Sequence, residues 1–183
     1  EKKWLNPSDY PQQLEFDRHD DRSLIFLAKN DETGKVVGTV RLIINDNDRI
    51  PLPITEHPAL SKRCNTARSM EISRFLIDPE ARGGEVYIGL IRMLFRCVVK
   101  DYLDYENVFF GVEPRFLGIV NMLGFDFKPI APEAFWFGDY IIPSRQIPCR
   151  LDDSVRKNNP MYHRWLWKKK KKMGENERMI TFL

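Results

Sequence analysis

Apolar positions along the chain alternate in short runs before they merge into one long helical stretch. Leu24 to Ala28 is a brief apolar run bounded by charge and predicts a buried strand. Asp31-Glu32-Thr33-Gly34 is a turn, and Lys35 to Ile44 is rich in β-branched residues. On that second strand Val37, Thr39, Arg41 and Ile43 share one face, and Val36, Gly38, Val40 and Leu42 the other. A hairpin turning near Gly34 sets Arg41 opposite roughly Leu24. Asn45 to Ser61 carries Pro51, Pro53 and Pro58 and reads as loop, as do residues 1–13 with Pro7 and Pro11. Met70 to Ile77 predicts a third strand, stopped by Asp78-Pro79. Glu85 to Leu103 predicts a helix so broadly apolar that it must be largely buried. Asn107 to Val112 is a further strand. Pro114 then suits the first position of a second helix, and Gly124 its left-handed end. Residues 125–155, with many aromatic side chains, predict irregular chain or strand. A helix between the third and fourth strands makes that pair parallel, while the first three strands form a meander. The expected class is therefore α/β (α+β), a mixed and mostly antiparallel sheet flanked by helices.

Composition narrows this picture. The 183 residues are 43% hydrophobic and 30% charged, which suits one globular core and a single domain over 1–183. A net charge of +3 is too mild to imply nucleic acid, and no apolar run approaches the roughly 18 residues of a membrane span. Cys64, Cys97 and Cys149 form neither a metal spacing nor a disulfide framework, so the expected setting is reduced and cytoplasmic, with no metal. No signal peptide is read at the start of the chain. His19, His57 and His163 are isolated, and there is no nucleophile elbow, zinc motif or Walker loop.

The candidate chemistry is carried by charge in unusual places. Glu71-Ile72-Ser73-Arg74-Phe75 sets two ionised side chains inside an apolar strand. Regular pleating puts Glu71, Ser73 and Phe75 on one face and Met70, Ile72 and Arg74 on the other, so Glu71 meets Arg74 only across a bulge. A structural ion pair between strands and a functional site are both open. Asp17 and Asp20 precede the hairpin near Arg41, either as a solvated acidic loop or as partners for that arginine. Arg82-Gly83-Gly84 is a phosphate cradle at a helix start or a plain turn. Arg92, Arg96 and Lys100 form a basic stripe on the long helix, a solvated face or a dock for an acidic partner.

These pieces together resemble a known family. Leu14-Glu15-Phe16-Asp17-Arg18-His19-Asp20, Val37 to Leu42 and Glu71 to Phe75 are similar, in order and spacing, to acyl-homoserine-lactone (autoinducer) synthases and N-acyl amino acid synthases of the GNAT superfamily. Arg115 followed by Leu123-Gly124-Phe125 fits the same pattern, and the resemblance covers about residues 14–127. Pro51-Leu52-Pro53 after the arginine strand looks more like the N-acyl amino acid synthases. The resemblance implies a splayed parallel strand pair and transfer of a long fatty acyl chain from a phosphopantetheine thioester to the amine of an amino acid. It implies Glu71 as the base, and Asp17, Asp20, Arg41 and Arg74 as a charged cluster, with Arg41 or Arg74 holding an acceptor carboxylate. Ser73, Phe75, Arg82, Gly83 and Gly84 are then expected on the phosphopantetheine, and Met93, Phe116, Met122 and Phe125 on the acyl chain.

The chain departs from the family in two respects. The family's N-terminal arginine and closing aromatics are reduced here to Trp4 and its surroundings, and the glycine series after Arg82 is short. A short cradle suits a donor with one phosphodiester, an acyl carrier protein, whose acidity gives the Arg92/Arg96/Lys100 stripe a partner. The alternatives are an autoinducer synthase using S-adenosylmethionine and a non-enzymatic module binding anionic surfaces through Trp165, Trp167 and Lys168–Lys172.

Overall fold

A computed structural model describes residues 16–47, 49–60, 64–82, 84–168 and 180–182. The strands are β1 (Ser23–Asn30), β2 (Val36–Asn45), β3 (Ser69–Ile77), β4 (Asn107–Val112), β5 (Lys128–Pro129), β6 (Ala134–Trp136), β7 (Asp139–Gln146) and β8 (Ile180–Phe182). The helices are α1 (Glu85–Asp101), α2 (Pro114–Met122), α3 (Pro148–Asn158) and α4 (Pro160–Trp167). The sheet runs β5-β7-β4-β3-β2-β1-β8, with β6 paired to β7. Among the described residues only β3 and β4 pair in parallel, as the intervening helix requires. Hence the mixed, mostly antiparallel sheet with a parallel pair is what the sequence pattern predicts. The hairpin register sets Arg41 opposite Ile25, one residue from the expected Leu24.

The large core lies between α1 and one face of the sheet. Val86, Leu90, Leu94 and Val98 of α1 pack against Val40, Leu42, Met70, Ile72 and Phe110. Their spacing is that of a single helical face. Gly38 makes the close approach of α1 to β2 feasible: a Cβ there would stand 2.6 Å from Val86 Cγ1 and 3.1 Å from Leu90 Cδ1. A second, smaller core covers part of the opposite face. There Leu52 and Ile54, from the segment around a 3₁₀ turn at Pro53–Glu56, pack on Ile43 and Phe109.

The C-terminal third departs from expectation. Residues 148–155, expected as irregular chain or strand, belong to helix α3, and helix α4 follows it. Their signals were present locally: Pro148 and Pro160 sit in the first turns, and the Asn159 side chain accepts from the Tyr162 N–H at 3.0 Å. Asp152 joins the two helices, accepting from His163 Nε2 at 2.9 Å and Trp167 Nε1 at 2.7 Å. Among the described residues no helix is long and apolar enough to cross a membrane.

Gly38→Ala forces α1 and β2 apart, and the expected cost is about 1–3 kcal/mol of unfolding free energy. Urea denaturation checks this, and a change below about 0.5 kcal/mol, the range of neutral surface substitutions, would contradict the packing described.

Candidate active site

The site begins with one extra residue in β3. Strand β2 pairs with β3 as Thr39↔Leu76 and then as Arg41↔Ser73, so three steps along β3 match two along β2. The surplus is taken up at Arg74, whose φ of 47° is left-handed and unusual for a side-chain-bearing residue. This is a β-bulge, and it reverses the alternation expected for the strand. Phe75, expected beside Glu71 and Ser73, turns instead to the helix side, where its ring meets Tyr87 at 5.5 Å and Phe116 at 5.6 Å between centroids. Arg74, expected on the helix side, reaches the charged cluster on the other face.

The bulge coincides with the parting of the parallel pair. The β3–β4 ladder runs from Ser69↔Asn107 to Ile72↔Phe110 and ends there, although both strands continue. A cleft of about 190 Å³ occupies the gap. Ser73, Arg74 and Phe75 form one wall, Phe110, Gly111 and Val112 the other, with Glu113 and Phe116 at the α2 end. Main-chain groups here have lost their neighbouring strand, which is the geometry needed to place N–H donors against a ligand.

At the rim two carboxylates and two guanidinium groups interlock. Arg41 Nη1 donates to Asp17 at 2.8 Å and to Asp20 at 2.7 Å. Arg74 bonds the same pair at 3.0 and 2.9 Å. Arg41 Nε also donates to Ser73 Oγ at 2.9 Å. Burial alone would raise the Asp17 and Asp20 carboxyls. Hydrogen bonds from Arg41 and from backbone N–H groups, with the charges of Arg41 and Arg74, overcome this and hold both below the usual carboxylate range. The acidic residues are therefore partners of the arginines rather than a solvated loop. Arg41 is only 4% exposed, with its Nε and Nη1 committed to Ser73, Asp17 and Asp20. Arg74, 20% exposed at its side chain, remains at the surface of the cleft.

Glu71 is brought near this cluster but not into the cleft wall. It is 4% exposed beneath the Pro53–Glu56 turn, and its Oε2 accepts the Ile54 N–H at 2.8 Å. It does not pair with Arg74, whose guanidinium lies on Asp17 and Asp20. Burial pushes the Glu71 carboxyl up to about 8, against the Ile54 hydrogen bond and the nearby charge of Arg41, which lower it. His19 beside the cluster is also buried, and desolvation and the Arg22 charge hold it below its ordinary value.

Other expected site residues lie elsewhere. Arg82 is exposed and reaches the Ile77 carbonyl at 3.4 Å, and Gly84 caps α1 with a φ of 92°. Gly83 and Trp4 fall outside the described residues, as do Lys169 to Lys172. Phe116 and Phe125 line an apolar space behind the cleft, whereas Met93 does not and Met122 is 80% exposed beyond the helix contact. In the basic stripe Lys100 is exposed, whereas Arg92 and Arg96 are engaged within the chain. Arg92 and Arg96 donate their Nε atoms to the Leu166 carbonyl at 3.0 and 2.6 Å and also reach the Lys168 carbonyl. They close the C-terminal end of α4, where unpaired carbonyls attract cations. Arg92 also stacks over Trp165 at 4.7 Å.

Comparison with known proteins says which family has this mixed sheet, parted beside a charged rim. The family model for N-acyl amino acid synthase FeeM matches residues 1–135, and the chain belongs to that family. It is an N-acyltransferase. No curated protein matches it. Among solved structures, the CoA-dependent acyl-homoserine lactone synthase BjaI is similar, with a TM-score of 0.66 and 18% identity over 87% of this chain and 72% of that one. FeeM from uncultured soil microbes is similar with a TM-score of 0.57 and 15% identity, over 76% and 75%. TofI follows with a TM-score of 0.59 and 13% identity, over 82% and 78%. At these identities the structural likeness concerns the fold.

The elevated carboxyl has a stability consequence. Because Glu71 binds its proton more tightly folded than unfolded, its favourable contribution is complete below about pH 4.5 and is lost as pH rises to about 8. Asp17 and Asp20 act oppositely and only in acid, and His19 favours the folded state as pH rises through its ordinary range. Glu71→Gln keeps an oxygen for the Ile54 N–H but cannot ionise. Its stability relative to wild type is therefore expected to climb between pH 5 and 8, by an amount of order a few kcal/mol. Melting curves of both proteins across that range check this, and parallel curves would contradict it.

Proposed function

We propose that this chain transfers a fatty acyl group from a phosphopantetheine thioester, carried by an acyl carrier protein, to the α-amine of an amino acid. The observation that carries the reading is the cleft between β3 and β4, walled by Ser73–Phe75 and Phe110–Val112, with the Asp17–Asp20–Arg41–Arg74 cluster at its rim. The pantetheine arm lies along the unpaired edge of β3, near Ser73 and Phe75, and its phosphate lies towards Arg82 and the start of α1, where backbone N–H groups favour an anion. The short Arg82–Gly84 cradle, ahead of Glu85, is the support for a carrier-protein donor over coenzyme A.

The amine nitrogen attacks the thioester carbon, the C–S bond breaks, and an amide and a free thiol result. Backbone N–H groups on the parted strands stabilise the oxyanion. The amine must lose a proton: ionised Glu71 receives it through water, along the strand face it shares with Ser73, and it is passed on to the departing thiolate. A carboxyl raised to about 8 accepts a proton far better than an ordinary one once ionised, so amide formation is expected to rise with pH towards 8. Arg74 meets the acceptor's carboxylate, while Asp17, Asp20 and Arg41 fix its direction.

The test is direct synthesis. Purified protein is given acylated carrier protein or acyl-coenzyme A, with amino acids or S-adenosylmethionine, and products are read by mass spectrometry. An N-acyl amino acid formed from the carrier-protein donor is expected. An acyl-homoserine lactone would overturn the acceptor assignment, and equal turnover of acyl-coenzyme A the donor assignment. Glu71→Gln is expected to retain donor binding and lose at least ~10²-fold in amide formation. Undiminished turnover in that variant would remove Glu71 from the mechanism.

A further inference from the structure

Two spaces in the molecule share three walls. The cleft between the parted strands holds about 190 Å³. Behind it, inside the large core, lies a void of about 40 Å³ with a purely aliphatic and aromatic lining that includes Leu94, Phe95, Val120 and Phe125. Phe75, Phe110 and Phe116 border both. An apolar cavity of roughly 150 Å³ is about what one benzene needs. The cleft therefore accommodates a thioester and a short stub of hydrocarbon, and the void alone accommodates no chain. A long acyl tail requires the two spaces to join.

The three shared rings are not equally free to move. Phe110 sits on β4, held by β3 on one side and β7 on the other, and is 5% exposed. Phe75 is fixed by the bulge and by Tyr87. Phe116 is in the first turn of the nine-residue α2, which has no side-chain cap, and it is only half-buried. Its ring contacts Phe75 at 5.6 Å, Tyr87 at 5.4 Å and Phe110 at 5.9 Å between centroids, all tilted or edge-on. It is the centre of the partition, and its displacement opens the cleft into the void.

We propose that Phe116 is the gate that sets acyl-chain length, a specificity determinant resting on the acyl-transfer reading above. With its ring in place the chain ends at the partition, and with the ring swung aside the tail runs between α1 and the sheet towards Phe125. The remaining wall is apolar throughout, so the gate discriminates by length and not by polar substituents on the tail.

The test is a competition among acyl donors that differ only in chain length, read by mass spectrometry of the amides. Phe116→Ala is expected to raise the ratio of long-chain to short-chain product at least about 10-fold, the effect of one or two methylenes in an apolar pocket. Phe116→Trp is expected to move it the other way. Circular dichroism establishes folding, and Phe116→Leu decides the matter if the alanine variant does not fold. Folded variants with the wild-type length profile would overturn the gate while leaving acyl transfer intact. If wild type forms no amide at any length, the acyl-transfer reading itself fails.

Discussion

The single extra residue in β3 is the constraint on which the site depends. A strand paired regularly on both sides leaves no room for a ligand, because its N–H and C=O groups are all used by its neighbours. Here the surplus residue between the Arg41↔Ser73 and Thr39↔Leu76 pairs bends β3 away from β4. One local irregularity opens the cleft, turns Phe75 into the apolar core and carries Arg74 out to the aspartates. The left-handed backbone at Arg74 is unfavourable by itself, of order 1–3 kcal/mol. Four charge-assisted contacts in the Asp17–Asp20–Arg41–Arg74 cluster offset it.

The charges on either side of the bulge follow opposite electrostatic logic. The rim cluster keeps its carboxylates ionised through multiple guanidinium contacts. Glu71, two residues before Ser73, has one backbone donor and a low-dielectric surrounding, so its proton is held up to about 8. A carboxyl buried this deeply with one backbone donor costs the fold stability. The small core of Leu52, Ile54, Ile43 and Phe109 creates that environment, and Gly111 permits it, since a Cβ there would lie 3.2 Å from Ile54 Cδ1.

Much of this was legible in the sequence, but unevenly. Strand and helix order, the hairpin register and the parallel pair followed from apolar spacing and turn residues such as Gly34, Pro114 and Gly124. Register brought Arg41 to within a few residues of Asp17 and Asp20 but left open whether they were its partners or a solvated loop, which the buried guanidinium decides. The position of the bulge did not, because Ser73-Arg74 carries no glycine to announce a left-handed residue, and the faces of Arg74 and Phe75 were inverted as a result. Helices α3 and α4 were less legible because they are short, and Pro148, Asn159 and Pro160 suit a turn as well as a helix start. The roles of Arg92 and Arg96 were hidden for a related reason: a basic stripe gives no sign that a distant helix end will land on it. Met122 was placed by its apolar character, yet it lies on the outer face of α2, where apolar residues are common and carry no message.

The most direct measurement is a crystal structure of the protein with a non-hydrolysable acyl-pantetheine thioether or amide bound. The carbonyl of the ligand is expected between Ser73–Phe75 and Phe110–Val112, with its oxygen about 3 Å from a main-chain N–H of the parted strands. A ligand bound elsewhere, with β3 and β4 unchanged and the space between them empty, would contradict the account.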